Sequence, residues 1–332
     1  MIFIYKGGYE TVKKSGVGIA IKHQEQALKS QNMPLATSWQ DPFSIIHLNT
    51  VFPDSFFAAL RAKIKKKKIV YYGHSTMEDF RNSFHGSNVF SPLFKFWISR
   101  CYAMGDIILT PSVYSKALLD TYNLKRPIYA LSNGIDCAFF SYKDSYRQAF
   151  REKFHLAPDE KVVISVGHFI ARKGITDFLD IAREMPEYTF IWFGETNLKL
   201  VPKEISRAID NHPPNCHFPG FVSAEDLRNA YCGADCFLFL SREETEGIVV
   251  LEALACGIPT VLRDIPVYDA WIENGVAAFK SETVQEARVY TEDILSGRAP
   301  DLRESARKIA ESRSIEAIGK ALIEIYEKEN LL

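Results

Sequence analysis

Short apolar runs rich in Ile, Val and Phe alternate with helix-patterned stretches along the whole chain. That alternation confines it to parallel α/β folding, because parallel strands need helical crossovers between them. Strands are expected at Ile2–Tyr5, Ile45–Asn49, Ile69–His74, Ile107–Pro111 and Ile128–Ser132 in the first half. In the second half they are expected at Val162–Gly167, Thr189–Gly194, His217–Phe221, Cys236–Leu240, Thr260–Leu262 and Ala277–Phe279. Helices are expected at Ile19–Ser30, Ser112–Tyr122, Ile175–Arg183, Ala224–Tyr231 and Gly247–Cys256, with an amphipathic helix over the last twenty residues. The charged stretch Tyr142–Lys161, ending in Ala157-Pro158-Asp159, reads as the boundary between two domains.

Length allows two domains, each with its own core, at 332 residues. Apolar residues at 47% and charged residues at 24% suit a globular protein, and no apolar run is long enough for a membrane span. The start M-I-F-I-Y-K-G-G lacks the parts of a signal peptide and reads as a first strand. Six cysteines match no zinc spacing, so buried reduced thiols in a cytosolic protein are expected. The net charge of −1 hides an asymmetry: residues 1–150 hold 19 Lys and Arg against 10 acids, and the remainder is acidic. The basic half suggests an anionic surface as partner, while the acidic half carries a carboxylate cluster.

That cluster lies in S-R-E-E-T-E-G-I-V-V-L-E-A-L-A-C-G-I-P, Ser241 to Pro259. An apolar strand runs into an acidic turn, and a helix opens at Gly247. Free N–H groups at a helix start form a site suited to a phosphate. Glu244 and Glu252, eight residues apart, would repel that phosphate unless they accept hydrogen bonds from neutral hydroxyls, as an acid does from ribose in dinucleotide sites. Together they imply a diphosphate with hydroxyl-rich groups on both sides, a nucleotide sugar. The plainer reading is that Glu243, Glu244 and Glu246 cap the helix and favour its dipole.

The stretch resembles the E-x7-E signature of the retaining family 4 glycosyltransferases. The resemblance covers nearly the full length and implies the GT-B fold, two Rossmann-like domains with parallel sheets facing across a cleft. It implies an acceptor-side domain over 1–145, a nucleotide-sugar domain over 146–312, and a terminal helix, 313–332, crossing back to the first. In the second domain, Val162–Lys173 ends a strand at Gly167 and presents His168, Arg172 and Lys173. The family has an arginine where His168 stands and the lysine matched by Lys173, so Arg172 is expected to replace the missing charge. Ser15-Gly16-Val17-Gly18 resembles the glycine-rich loop, placing Gly16 and Val17 against phosphate. Pro219-Gly220-Phe221-Val222 resembles the base-binding loop. His74, at the end of its strand, matches a histidine that contacts the donor sugar; unaided, a histidine there is more often structural. Asn133-Gly134-Ile135-Asp136 resembles a turn near the hinge and is read as structural.

The resemblance thus assigns catalysis to His74, Lys173 and Glu244. Donor binding is assigned to Gly16, Val17, His168, Arg172, Lys173, Phe221, Val222, Glu244, Thr245, Glu246, Gly247, Ile248 and Glu252. No Asp-x-Asp pair ends a strand, so no metal or cofactor is expected. Arg61–Lys68 sets six cations in eight residues, including Lys63, Lys65, Lys66, Lys67 and Lys68, ahead of Phe80, Phe84, Phe90, Leu93, Phe94, Phe96 and Trp97, which are interleaved with Arg81 and Lys95. Bases beside large aromatics suit an anionic membrane surface and a lipid acceptor; the alternative is a solvated lysine face over ordinary core aromatics. Nucleic acid is not expected as a partner.

Within the family the chain is similar to the short bacterial diacylglycerol and glucosyl-diacylglycerol glycosyltransferases. The expected reaction moves a hexose from UDP-glucose or UDP-galactose to such a lipid, on the inner face of the cell membrane. A polysaccharide, teichoic acid or protein acceptor, or a non-catalytic partner subunit, are the other readings.

Overall fold

The computed structural model describes residues 1–332. Its first parallel sheet comprises β1 (Ile2–Tyr5), β2 (Leu35–Ala36), β3 (Ile45–Leu48), β4 (Lys68–Tyr72), β5 (Ile107–Thr110) and β6 (Ile128–Ala130), in the order β2-β1-β3-β4-β5-β6. The second comprises β7 (Val162–Val166), β8 (Thr189–Phe193), β9 (Cys216–Gly220), β10 (Cys236–Phe239), β11 (Thr260–Arg263) and β12 (Phe279–Ser281), in the order β12-β11-β10-β7-β8-β9. Every pairing is parallel. This is the GT-B architecture.

Helices cover both faces of each sheet, so the strands are apolar on both sides rather than alternating. β3 and β10 are buried at every position. The short β2, pairing Leu35 and Ala36 with Ile2 and Phe3, has too few residues to show a pattern, and sequence reading passed over it. Most strand boundaries differ from expectation by one or two residues; the last strand runs Phe279–Ser281 instead of Ala277–Phe279.

Tyr142–Lys161 is not a loose connector. It contains the helix Asp144–Lys153, which packs on the helix Ala224–Gly233. The packing is close because a Cβ on Gly233 would lie 2.3 Å from the Phe150 ring. The chain passes between domains just before this helix, and returns near Ser314, where Ile135 and Ser314 form an isolated bridge. The last helix, Ile315–Lys328, then lies on the first domain beside the helix Gly16–Ser30. Gly319 permits this approach, since a Cβ there would sit 2.5 Å from the Ala27 carbonyl. Tyr326 reaches His47 at the centre of β3, and burial holds that imidazole neutral, its pKa pushed down to about 3.

The second sheet's order reverses between β7 and β10. In open α/β sheets ligands bind outside the carboxyl ends of the strands at such a reversal. The loops leaving those two strands are His168–Lys173 and Ser241–Gly247.

Candidate active site

The segment after β7 closes as a short 3-10 turn, Ala171–Lys173, and Gly174 at φ +75° then admits the helix Ile175–Glu184. The turn aims Arg172 and Lys173 at the segment after β10. There Gly247, at φ +90°, begins the helix Ile248–Cys256. Only glycine adopts that backbone without strain, and a Cβ would lie 3.2 Å from the Tyr268 hydroxyl. No side chain caps this helix, so its first amides face the cleft unclaimed by the protein's own carboxylates.

The acidic residues expected to cap are engaged elsewhere. Glu244 is ion-paired with Lys173, and it accepts from the Ser241 hydroxyl at 2.6 Å. Burial alone would raise its pKa, but Lys173 and Arg172 together hold it below the ordinary carboxylate value. Glu246 accepts from the Asn133 amide at 3.0 Å and its side-chain nitrogen at 2.7 Å. Glu243 accepts from the Tyr114 hydroxyl at 3.1 Å. Burial pushes both of these carboxyls up to about 7. Their partners belong to the first domain, so the acidic turn is stitched across the cleft.

Arg172 makes the other cross-domain contacts. Its guanidinium lies 2.9 Å from Asp79 and 3.8 Å from Glu244, and donates to the Glu243 carbonyl at 2.6 Å and the Ser83 hydroxyl at 3.3 Å. His168, where the family has arginine, is exposed, and its Nδ1 donates to the Glu195 carbonyl at 3.0 Å. Arg172, rather than His168, therefore stands beside the Lys173–Glu244 pair.

Glu252 lies a turn inside the helix and is 2% exposed. The Tyr231 hydroxyl, 3.1 Å away, donates to it, and burial pushes its pKa up to about 8. His74, two residues beyond β4, is also buried, and its Nε2 lies 3.0 Å from the Asn49 side-chain oxygen. Since that oxygen accepts, Nε2 carries the proton. Burial holds the ring neutral, with a pKa of about 4, and Nδ1 keeps a lone pair without a protein partner.

At one end of the cleft, the Lys14 ammonium sits 4.9 Å over the half-exposed Phe221 ring, with Val222 beside it. Lys14 precedes Ser15 and the exposed Gly16; Gly16 and Val17 form the first turn of the helix Gly16–Ser30, not a glycine loop ahead of a helix at Ile19, and this helix start lies near the Phe221 loop. Thr245 and Ile248 flank Gly247 on the acidic turn and the first helical position. No group of three or more His, Cys, Asp or Glu side chains is arranged to hold a metal ion.

The proposed membrane residues separate into two groups. Phe80 and Phe94 stack on each other at 4.3 Å, and the Trp97 indole donates to the Val51 carbonyl at 2.6 Å; Phe94 and Trp97 pack against the first domain's core, and the half-buried Phe80 rests on Phe94. Lys67 donates to the Phe43 carbonyl, whereas Lys63, Lys65, Lys66, Lys68, Arg81 and Phe84 are exposed. Phe84, Phe90, Leu93 and Phe96 of the stretch expected at a membrane are joined on the exposed apolar surface by Phe57, Leu60, Ile64 and Val89, which carried no expectation from sequence. Phe57, Leu60 and Ile64 lie on the helix Pro53–Ile64; Val89, Phe90, Leu93 and Phe96 lie on the helix Ser87–Tyr102. The detectable signal was a run of apolar residues three and four apart. Pro92 lies inside the second helix, and the Asn88 carbonyl freed by that proline accepts from the Ser91 hydroxyl at 3.0 Å. The two helices meet where Phe56 packs on Trp97, with ring centres 5.5 Å apart. No helix is long and apolar enough to cross a membrane.

Comparison with known proteins bears on this geometry. Residues 146–329 match the family Glycosyl transferases group 1, and residues 23–139 match Glycosyltransferase Family 4. The chain is 39% identical to the processive diacylglycerol alpha-glucosyltransferase of Acholeplasma laidlawii, over 98% of each chain. It is 30% identical to the alpha-galactosylglucosyldiacylglycerol synthase of Streptococcus pneumoniae, over 55% of this chain and 54% of that one. Among solved structures, HepE of Anabaena in complex with UDP-glucose superposes with a TM-score of 0.80 at 17% identity, covering 98% of this chain and 99% of that one. The likeness to HepE is one of fold.

Proposed function

The chain belongs to glycosyltransferase family 4, and we propose that it moves a hexose from a UDP-sugar to diacylglycerol or a glycosylated diacylglycerol, with retention of the α configuration. One observation carries the donor side: Lys173, Glu244 and the uncapped helix start at Gly247 converge at the reversal of the second sheet. The donor's diphosphate meets Lys173 and the first helix amides, where charge develops as the sugar leaves. Binding draws the ammonium from Glu244 toward the diphosphate, leaving that carboxylate to accept from sugar hydroxyls. Glu252 receives the ribose hydroxyls, Phe221 offers a ring face to the base, and the neutral His74 accepts a sugar hydroxyl at Nδ1. Arg172 adds a second cation beside the leaving group. We assign no metal, since these cations and amides supply the charge.

The lipid side rests on the full-length likeness to a diacylglycerol glucosyltransferase and on the two exposed apolar stripes flanked by lysines. A polysaccharide or protein acceptor would leave that surface without a task. Apolar side chains entering the acyl boundary and lysines meeting anionic head groups would hold the protein on a bilayer without a spanning helix.

The test incubates purified protein with labelled UDP-glucose or UDP-galactose and anionic vesicles containing diacylglycerol or glucosyl-diacylglycerol. Extracted lipid carrying an α-linked label from one of these donors is the expected product, formed equally well after EDTA. No labelled lipid with any pair, alongside transfer to a polysaccharide or teichoic acid, would contradict the proposal.

A further inference from the structure

A cavity of about 550 Å³ lies beside Arg172, between the two domains. Its volume falls within the range of small-molecule sites, about 300–1,000 Å³. Both domains line it: Glu78 and Arg81 from the first, and Arg172, Glu204, Arg242 and Glu243 from the second.

Three arginines meet three glutamates there, and several are already committed. Arg172 is paired with Asp79, and Arg242 donates both its contacts to Asp177, at 3.0 and 2.9 Å. One Glu78 oxygen accepts from Tyr122 at 2.9 Å. What remains free is mixed in kind. The Arg81 guanidinium touches only Ser91, at 3.3 Å, and the Met77 sulfur, at 3.8 Å, with no carboxylate partner. The second Glu78 oxygen, Glu204, the buried Oε1 of Glu243 and the Thr176 hydroxyl are likewise uncommitted. Guanidinium, carboxylate and hydroxyl groups interspersed in this way suit vicinal hydroxyls, each of which donates and accepts. A phosphate would have to approach three carboxylates.

The cavity's surroundings point the same way. Its Arg172 wall lies 3.8 Å from Glu244, so an occupant is one guanidinium away from the group assigned to the donor sugar. Two residues along the chain from the lining Asn82 and Pro202 stand the exposed Phe84 and Leu200, brought together where the His85 amide donates to the Leu200 carbonyl at 3.3 Å. Exposed apolar side chains near an interior of interspersed Arg and Glu side chains match a ligand with acyl chains outside and a polyol head inside.

We propose that this cavity seats the sugar-bearing, neutral head group of a glycolipid acceptor, and that Arg81 and Glu78 hold its hydroxyls. The proposal rests on the lipid glycosyltransferase reading and narrows it: the acceptor is preferentially one that already carries a sugar.

The experiment measures acceptor KM for glucosyl-diacylglycerol and for diacylglycerol in the same vesicles, with wild-type protein, Arg81→Gln, Glu78→Gln and Arg81→Lys. Both neutral substitutions are expected to raise KM for glucosyl-diacylglycerol roughly tenfold, as for loss of a charged hydrogen bond, with a smaller rise for diacylglycerol; Arg81→Lys recovers part of the loss. Soluble glucosylglycerol, which has the head without the chains, should inhibit wild type competitively against the lipid and inhibit Arg81→Gln more weakly. Equal KM changes for both lipids, no change for either, or no inhibition by glucosylglycerol would overturn the head-group site while leaving lipid transfer standing. Transfer to neither lipid by the wild type would overturn both.

Discussion

At the cleft, Lys173 and Glu244 are largely withdrawn from water and held against each other, whereas on the outside of the first domain Ile64 is 76% exposed and Val89 79% exposed. The two regions use opposite means to meet a ligand. A buried charge without a partner is costly, so the cleft residues are fixed by ion pairs and hydrogen bonds before any donor arrives. A bilayer is disordered and offers no fixed partners, so the outer helices present apolar area and mobile ammonium groups instead. Changes in the first region should therefore act sharply and through single residues, and changes in the second should act additively.

The largest effect expected is from Lys173→Ala. It removes the main cation at the leaving group and should lower kcat about 10²–10³-fold. It also strands a buried Glu244, costing about 3–5 kcal/mol of stability in chemical denaturation. Adding Glu244→Gln should recover much of the stability and none of the activity. If the single variant keeps wild-type kcat, the contrast between the regions fails at its stronger end.

Next in size is Ile64→Glu with Phe90→Glu. Burying a large apolar side chain is worth about 1.5–3 kcal/mol, so losing two should weaken vesicle binding by about a hundredfold or more in sedimentation. A smaller change is expected from Lys63→Ser with Lys65→Ser, at about 1 kcal/mol per cation on anionic vesicles. That loss should shrink as salt rises. An effect independent of salt would mean that the lysines act by packing, as Lys67 does on Phe43.

The smallest effect concerns pH and the buried Glu252. Its carboxyl titrates near 8 in the folded chain, against 4.5 ordinarily. Between those values the folded state keeps a proton that the unfolded state has released, so stability falls as pH rises from about 4.5 to 8. Glu252→Gln should flatten that fall in thermal melts across the window. A wild-type stability that rises with pH there, with no difference in the variant, would contradict the buried neutral carboxyl.

The same contrast explains how much could be read from residue order. Strand runs such as Val162–Val166 are continuous apolar blocks, so their positions were visible to within a residue or two. Glu244 and Glu252 stood in one long linear signature and Lys173 at the end of a second motif, Val162–Lys173, so all three were singled out from residue order. Asp79, Ser83, Tyr114 and Asn133 carried no such signal, because their roles exist only when the domains face each other. The aromatics near residue 90 were recognised as a group, but Phe80, Phe94 and Trp97 could not be told from Phe90 and Phe96 without the helix phase.

The central claim is that the donor's diphosphate binds between Lys173 and the start of the helix Ile248–Cys256. A crystal structure of the protein with UDP tests it most directly. The account predicts phosphate oxygens within hydrogen-bonding distance of the Lys173 ammonium and of the amides at Gly247 and Ile248, with Glu252 on the ribose. A diphosphate bound elsewhere, with the Lys173–Glu244 pair undisturbed, would contradict it.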